Sequence, residues 1–191
     1  MDLRDPTTAA LVAAEAFEKA KLPYALYGGL LLAAYGEPRE TRDVDVAVVE
    51  ATAQQGCDAL GRAGQDASIT FEDTKFGGLL IARIALLGGD ADLGLNTLDL
   101  VRPRSERYRD AAMGRAVEAP LRDRSIRALM PEDFVLFKLL STRDRDIDDA
   151  ASVLRRSRDV LDMDLVAREV AALAREIPDF DVRARYRAVG A

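Results

Sequence analysis

Two aspartates that alternate with valines are the residues of this sequence best suited to chemistry. Asp43 and Asp45 lie in the run Asp-Val-Asp-Val-Ala-Val-Val, which ends at Val49. Because side chains alternate along a β-strand, the two carboxylates would share one face and the first valines the other. Like charges this close repel, and one carboxylate would take up a proton unless a cation lay between them. The pattern therefore predicts a bound cation.

The residues on either side of Asp43 and Asp45 indicate which cation and which ligand would bind. A carboxylate on a valine-rich strand is costly to bury without a partner, and Mg²⁺ accepts hard oxygen ligands while keeping positions for water and substrate phosphates. Gly28 and Gly29, which end the preceding apolar strand, lack a Cβ and let a ligand approach the backbone. The helix that follows would point free N–H groups at an anion. A tight turn at the glycines and a cap or solvated strand edge at the aspartates are the structural alternatives.

The combined pattern resembles the signature of the nucleotidyltransferase superfamily with the polymerase-beta-like fold. That signature is a Gly-Gly or Gly-Ser after the first strand and then Asp-x-Asp on the next. Thirteen residues separate Gly29 from Asp43, and the intervening segments 36–39 and 41–42 are similar to those of small bacterial members, including the AbiEii-type toxins. The resemblance covers about half of the chain.

The resemblance implies a third carboxylate on a strand adjacent to the Asp-x-Asp strand, and Asp92 is the position that matches. Asp90 is the alternative, although its place in a glycine-rich segment is typical of a turn residue. Two Mg²⁺ ions would then be held by Asp43, Asp45 and Asp92. Asp92 would bridge the catalytic metal or act as the base for the acceptor hydroxyl.

Lys138 lies in an otherwise apolar helical run from Phe134 to Leu140, in a sequence with twenty-three arginines and only four lysines. The structural alternative is a lysine whose stem packs while its ammonium group reaches water. A continuous helix would place Arg145 and Asp149 near the same face as Lys138. A break near Asp144 is equally consistent with the sequence, and an aspartate would then cap the next helix.

A second block of the small bacterial nucleotidyltransferases is similar in spacing to the segment from Lys138 through Arg143 and Asp146 to Asp149. By this resemblance Lys138 would contact the triphosphate or the acceptor, and Asp146 or Asp149 would position it. The implied catalytic residues are Asp43, Asp45, Asp92 and Lys138. The implied nucleotide-binding residues are Gly28, Gly29, Arg39, Thr41, Arg42, Lys138, Asp146 and Asp149.

The implied activity is transfer of a nucleoside monophosphate from a nucleoside triphosphate, with ATP a candidate, to an acceptor hydroxyl with release of pyrophosphate. The acceptor would be tRNA, a protein or a small molecule such as an aminoglycoside. A toxin opposed by an antitoxin is the preferred role. The alternative is a catalytically silent module on the same fold that binds a nucleotide or a protein partner.

Composition excludes several other kinds of chemistry. The sequence has no histidine and a single cysteine, Cys57, which excludes histidine triads, Cys-His nucleophiles, His-ligated zinc and a disulfide framework. The net charge of −6 argues against a generally basic nucleic-acid binder, although residues 102–145 carry eleven basic and seven acidic side chains. The sequence shows neither a secretory leader nor a membrane-spanning run. We therefore expect a cytoplasmic protein without membrane contact.

The order of elements predicts an α/β (α+β) fold. Residues 1–102 would form a nucleotidyltransferase core with a mixed sheet flanked by helices, and residues 103–191 a mostly helical part packed on it as one compact unit. Predicted strands are 24–27, 44–49, 67–71, 79–87 and 91–96, and a short hairpin turns near 122–123. Predicted helices are 6–21, 30–35, 52–63 and 105–116, one beginning at 131, and 165–176.

Overall fold

The computed structural model describes residues 2–88 and 94–190. The helices are α1 (Pro6–Ala20), α2 (Gly28–Tyr35), α3 (Ala53–Arg62), α4 (Glu106–Arg115), α5 (Pro131–Leu140), α6 (Asp144–Ser157), α7 (Met163–Glu176) and α8 (Val182–Ala188). The strands are β1 (Tyr24–Tyr27), β2 (Val44–Val48), β3 (Ala67–Phe76), β4 (Leu79–Leu87), β5 (Gly94–Pro103), β6 (Val117–Leu121) and β7 (Arg124–Ala128).

The seven strands of the described part form one mixed sheet in the order β3-β4-β5-β2-β1-β7-β6. β2 lies inside this sheet, antiparallel to β1 and parallel to β5. Every residue of β1 and β2 is buried, as expected for strands covered on both faces. The predicted α/β class with a mixed sheet is confirmed.

The bounds of two strands differ from those predicted from the sequence. β3 continues to Phe76 instead of ending at Phe71, and β5 spans Gly94–Pro103 where a strand over 91–96 is predicted. Polar residues such as Asn96 and Asp99 disfavour a strand locally. Pairing with β4 on one side and β2 on the other outweighs that local preference.

The C-terminal part contributes to the same sheet. The hairpin of β6 and β7 turns at Arg122 and Asp123, as predicted, with Arg122 in the left-handed region at φ 55°. β7 then runs parallel to β1. β3 and β6 are therefore the two edge strands of the described sheet.

The helical segment after Pro131 is broken. α5 ends at Leu140 and α6 begins at Asp144, so the two-helix alternative is the one that forms. The N-cap residue is Arg143, without a side-chain cap, and Asp144 lies inside the first turn instead of capping it. α8 is not predicted from the polar end of the sequence. Within residues 2–88 and 94–190, no helix combines the length and the apolar character needed to cross a bilayer.

Candidate active site

Three carboxylates from two neighbouring strands converge on one point. Asp43 directly precedes β2, Asp45 lies within β2, and Asp99 lies on β5, where the parallel register pairs it with Asp45. One oxygen of each carboxylate lies within 4.8 Å of the others. Asp45 and Asp99 are 7% and 1% exposed. Three hard oxygen donors at this separation fit a divalent cation such as Mg²⁺.

Asp99 is the member of this cluster that sequence reasoning misses. Asp92 and Asp90 lie outside the described residues, so the role of Asp92 stays a prediction. Asp99 lies between Leu98 and Leu100, an alternation typical of a strand with one polar face. A strand continued past Asn96 would have revealed it.

Burial and the neighbouring carboxylates change the pKa of Asp45. Burial and repulsion from Asp99 raise the pKa of Asp45 to about 7, and the positive charge of Lys138 opposes that rise. Burial and the neighbouring negative charge therefore favour the protonated form of Asp45 in the metal-free cluster. A bound cation would favour the ionised carboxylate instead, which is a further sign that these residues fit a metal.

Asp99 already has a cationic partner. Arg83, its cross-strand neighbour on β4, donates from Nε to Oδ1 at 2.6 Å and from Nη2 to Oδ2 at 2.7 Å. These hydrogen bonds raise the pKa of Arg83. The Arg83 guanidinium also lies 5.6 Å from the ring centre of Phe71. Asp99 is thus held rigidly by a bidentate ion pair.

The two glycines lie at the start of α2, which begins two residues earlier than predicted. Gly28 has a left-handed φ of 73°, and a Cβ there would overlap the carboxylate of Asp45. A Cβ on Gly29 would overlap Thr41. Thr41 in turn donates a 3.0 Å hydrogen bond from Oγ1 to Oδ1 of Asp43. The glycines therefore let the carboxylates and Thr41 pack directly against the helix N-terminus.

Substituting Gly28 with alanine is expected to lower stability by about 2 kcal/mol or more, because the change combines backbone strain with a steric clash. The same variant should lose any stabilisation by Mg²⁺, since Asp45 must move. Urea denaturation with and without Mg²⁺ measures both effects. Gly114→Ala is the matched control: Gly114 lies in α4, a Cβ there meets no atom within 4 Å, and alanine should leave stability unchanged or slightly raised. Equal stability of the two variants would contradict the steric argument.

Lys138 lies at the centre of a buried ion-pair network. Its side chain is 1% exposed, and Nζ lies 2.6 Å from Oδ1 of Asp146 and 2.8 Å from Oδ2 of Asp149. Arg143 donates from Nε to Asp146 at 2.7 Å. Arg39 forms two 2.9 Å hydrogen bonds with Asp149. The ammonium group does not reach water, in contrast to the structural alternative considered for Lys138.

Both carboxylates of the network stay ionised despite their burial. Burial opposes ionisation of Asp146, but the charges of Lys138 and Arg143 outweigh it and lower its pKa. Burial acts in the same sense on Asp149, and hydrogen bonds from Arg39 and Lys138 lower its pKa. The residues that the sequence groups between Lys138 and Asp149 thus contact one another: Lys138 pairs with Asp146 and Asp149, and Arg143 pairs with Asp146.

A cavity of about 610 Å³ adjoins the carboxylate cluster. Its lining combines Asp43 and Thr41 with three arginines, Arg39, Arg42 and Arg145. Arg42 is highly exposed and pairs only with the exposed Glu40 among the described residues. An arginine-rich cavity beside three carboxylates suits an anionic ligand bound together with a divalent cation.

The hydroxyl of Tyr27 is a buried polar group in the same region. It has no hydrogen-bond partner in the described part of the chain, and the β1–β2 register pairs Tyr27 with Asp45. Its ring packs against Phe134 and Phe137. A buried hydroxyl without a partner costs about 1–3 kcal/mol, so this donor is available to a ligand or an ordered water.

Comparisons with known proteins establish the fold. No protein-family model and no curated protein sequence matches the chain. An antigenic nucleotidyltransferase-like protein from Paracoccidioides brasiliensis is similar in structure, with a TM-score of 0.53 and 19% identity over 96% of this chain and 93% of that one. The solution structure of the antibiotic-resistance factor ANT(2'')-Ia gives a TM-score of 0.54 and 16% identity over 100% and 97%.

A crystal structure of ANT(2")-Ia in complex with adenylyl-2"-tobramycin gives a TM-score of 0.49 and 15% identity over 94% of this chain and 98% of that one. The first two structures, at under 25% identity, define the fold and not the activity. The chain therefore has a nucleotidyltransferase-like fold. The resemblance to AbiEii-type toxins stays a prediction.

Proposed function

We propose that this protein is a metal-dependent nucleotidyltransferase, which transfers a nucleoside monophosphate from a nucleoside triphosphate to an acceptor hydroxyl. One observation carries the proposal. Asp43, Asp45 and Asp99 converge beside the helix start at Gly28 and Gly29, within a nucleotidyltransferase-like fold. Isolated aspartates are common, but this arrangement would combine a cation site with a phosphate site.

Each part of the site has a distinct task. Asp43, Asp45 and Asp99 would hold Mg²⁺, which when bound neutralises phosphate charge and lowers the pKa of the acceptor hydroxyl. The free N–H groups at the start of α2 would face the phosphates. Arg42 and Arg145, which line the cavity of about 610 Å³, would balance the remaining negative charge of the phosphates.

The reaction balances as a simple substitution at phosphorus. The acceptor oxygen forms a bond to the α-phosphorus, the bond from that phosphorus to the α,β-bridging oxygen breaks, and pyrophosphate leaves with the bonding electrons. The proton of the acceptor hydroxyl passes to a carboxylate. Asp99 and Asp92 are the two candidates for that base. Arg83 would orient Asp99 for this role through its bidentate pair.

We assign Lys138 a positioning role. Its ammonium group is buried against Asp146 and Asp149. Asp149 in turn holds Arg39, which lines the cavity of about 610 Å³. Lys138 would therefore act on the nucleotide through Asp149 and Arg39, which differs from the direct contact that the sequence resemblance implies.

A catalytically silent nucleotide-binding module is the second candidate, and one observation favours it. Both oxygens of Asp99 are already bonded to Arg83, as expected if the guanidinium permanently replaces a metal at that position. In such a module nucleotide would bind without releasing pyrophosphate.

For the enzyme, the candidate acceptors are tRNA, a protein or a small molecule. A toxin role with an antitoxin partner is a hypothesis based on the sequence resemblance.

Purified protein with Mg²⁺ and labelled nucleoside triphosphates is expected to bind nucleotide by calorimetry and to release pyrophosphate when an acceptor is supplied. Chelation with EDTA should abolish both, because the phosphates would then meet three unbalanced carboxylates. Nucleotide binding that requires Mg²⁺ but yields no pyrophosphate with any acceptor would favour the silent module. Binding that is unaffected by EDTA would contradict the metal site.

Separate substitutions identify the third carboxylate. Asp99→Asn is expected to weaken Mg²⁺ binding about tenfold to hundredfold, because one charged oxygen ligand is lost. Asp92→Asn should leave Mg²⁺ binding near the wild-type value if Asp99 is the ligand. Isothermal titration with Mg²⁺ measures both variants. The opposite outcome, with Asp92→Asn weaker and Asp99→Asn unchanged, would transfer the role to Asp92.

A further inference from the structure

The Tyr27 hydroxyl is a buried donor beside the carboxylate cluster. Tyr27 is 1% exposed, and its hydroxyl has no hydrogen-bond partner in the described part of the chain. Its register partner on β2 is Asp45, and side chains paired across antiparallel strands project from the same face of the sheet. Oδ2 of Asp45 lies against Gly28, the residue that follows Tyr27. Tyr27 therefore projects from the sheet on the same side as the cluster.

Asp45 is the carboxylate of the cluster that lacks a donor. Thr41 donates to Oδ1 of Asp43, and Arg83 donates to both oxygens of Asp99. Within residues 2–88 and 94–190, no hydrogen bond or salt bridge reaches the carboxylate of Asp45. Carboxylates that ligate a metal are ordinarily oriented by such hydrogen bonds. Asp45 therefore has open acceptor sites on its oxygens.

The other carboxylates near Tyr27 already have partners. Burial raises the pKa of Tyr27 well above its usual value, and the charges of Asp146 and Asp45 add to that rise, which places both carboxylates near the hydroxyl. The four oxygens of Asp146 and Asp149 already accept hydrogen bonds from the three cations of the buried network, Arg39, Lys138 and Arg143. Asp45 is therefore the neighbouring carboxylate best able to accept from Tyr27.

We propose that Tyr27 is a positioning residue, whose hydroxyl donates a hydrogen bond to the carboxylate of Asp45, directly or through one ordered water. The proposal rests on the proposed function, because the orientation of Asp45 matters only if the cluster holds Mg²⁺. The hydroxyl acts through Asp45 and contacts neither the ion nor the substrate. A carboxylate held in one orientation loses less freedom when it binds the ion, so the hydroxyl raises the affinity for Mg²⁺.

Tyr27→Phe separates this role from a structural one. The ring and its packing against Phe134 and Phe137 are retained, so only the hydroxyl is lost. In EDTA the variant should melt at the wild-type Tm or up to about 4 °C higher, because a buried donor without a protein acceptor is removed. Its Kd for Mg²⁺ in isothermal titration should rise about tenfold or more. A structural hydroxyl would give the opposite pattern, with a lower Tm in EDTA and an unchanged Kd.

Tyr35→Phe is the matched control. The ring of Tyr35 also packs against Phe134, but its hydroxyl donates a 2.9 Å hydrogen bond to the backbone carbonyl of Leu129. This variant should melt about 2–4 °C below wild type, because an existing hydrogen bond is lost, and it should bind Mg²⁺ with the wild-type Kd. Equal weakening of Mg²⁺ binding in Tyr35→Phe and Tyr27→Phe would overturn the proposal.

Fluorine NMR of protein labelled with 3-fluorotyrosine gives a direct signature. The chain has five tyrosines, and the resonance that is missing from Tyr27→Phe identifies Tyr27. Addition of Mg²⁺ should shift this resonance more than that of Tyr35. If Tyr27→Phe both melts lower and binds Mg²⁺ more weakly, this shift decides between the two roles, and its absence at saturating Mg²⁺ would reject the proposal.

Failure of the proposed function gives a different signal. Absence of Mg²⁺ binding by the wild-type protein would contradict the metal site, and the role of Tyr27 would fall with it. Normal Mg²⁺ binding by wild type together with an unchanged Kd in Tyr27→Phe would overturn the role of Tyr27 alone and leave the nucleotidyltransferase proposal intact.

Discussion

Asp45→Asn is expected to reduce nucleotidyl transfer by at least about 1,000-fold, equivalent to about 4 kcal/mol of transition-state stabilisation. The reason is the loss of a charged ligand at the centre of the cluster formed with Asp43 and Asp99. The same change should raise the Tm of the metal-free protein by about 2 to 6 °C, because it removes a buried, repelled charge. Pyrophosphate release and thermal melting in EDTA measure the two effects.

The stability gain of Asp45→Asn should depend on pH in a defined direction. The pKa of Asp45 is raised from 3.8 to about 7, so the folded protein binds this proton more tightly than the unfolded chain. Asp45 therefore reduces stability as pH rises from about 4 through 7. The Tm difference between Asp45→Asn and wild type in EDTA should be small at pH 4.5 and largest near pH 8. A difference that is constant with pH would contradict the assignment.

Asp148→Asn is the matched control for Asp45→Asn, since Asp148 is exposed on α6 and lies outside the cluster. It should preserve both pyrophosphate release and the response of Tm to Mg²⁺. Wild type and Asp148→Asn should each gain stability as Mg²⁺ is added, because the ion binds only the folded protein. A gain of the same size in Asp45→Asn would argue against Mg²⁺ at this cluster.

Lys138→Met is expected to lower the free energy of unfolding by about 3–5 kcal/mol, because it leaves two buried carboxylates with one cation fewer. The loss corresponds to a fall in Tm of about 10 °C. Urea denaturation of the variant measures it. A direct contact between Lys138 and substrate predicts the opposite pattern, with a raised KM and nearly unchanged stability.

A double variant separates charge from packing at this site. Lys138→Met/Asp146→Asn removes a cation and an anion together, and we expect it to be more stable than Lys138→Met. The coupling energy from the four proteins of the cycle should be at least about 1 kcal/mol in magnitude. Additive losses would show that the stem of Lys138, and not its charge, stabilises the fold.

The carboxylate cluster illustrates what sequence alone can and cannot predict. Alternation places Asp43 and Asp45 on one face of a strand, because the side-chain period of a strand depends only on local geometry. Asp99 joins them through the parallel register of β2 and β5, which is a long-range property. Arg83 reaches Asp99 through the β4–β5 pairing, and nothing near Arg83 in the sequence predicts it.

The segment from Lys138 to Asp149 shows a second limit of prediction from sequence. The spacing from Lys138 to Asp149 groups residues of which Lys138, Asp146 and Asp149 are in contact in the structure. It does not show that the ammonium group is enclosed, because enclosure depends on the rings of Tyr27 and Phe134, which lie 5.2 and 5.5 Å from Nζ at their centres. Phe134 lies one helical turn before Lys138 on α5, whereas Tyr27 comes from β1. The local sequence therefore indicates which residues lie together, and tertiary packing against β1 completes the enclosure of the ammonium group.

The two outer strands of the sheet have a consequence for self-association. A bare strand edge offers unpaired backbone groups to other chains and promotes aggregation. β3 opposes this with register shifts between Ile69 and Thr74 and with exposed charged side chains, and β6 carries Pro120, which has no N–H to donate. Both edge strands therefore disfavour the addition of a strand from another chain, and we expect the folded protein to resist polymerisation through its sheet edges at high concentration.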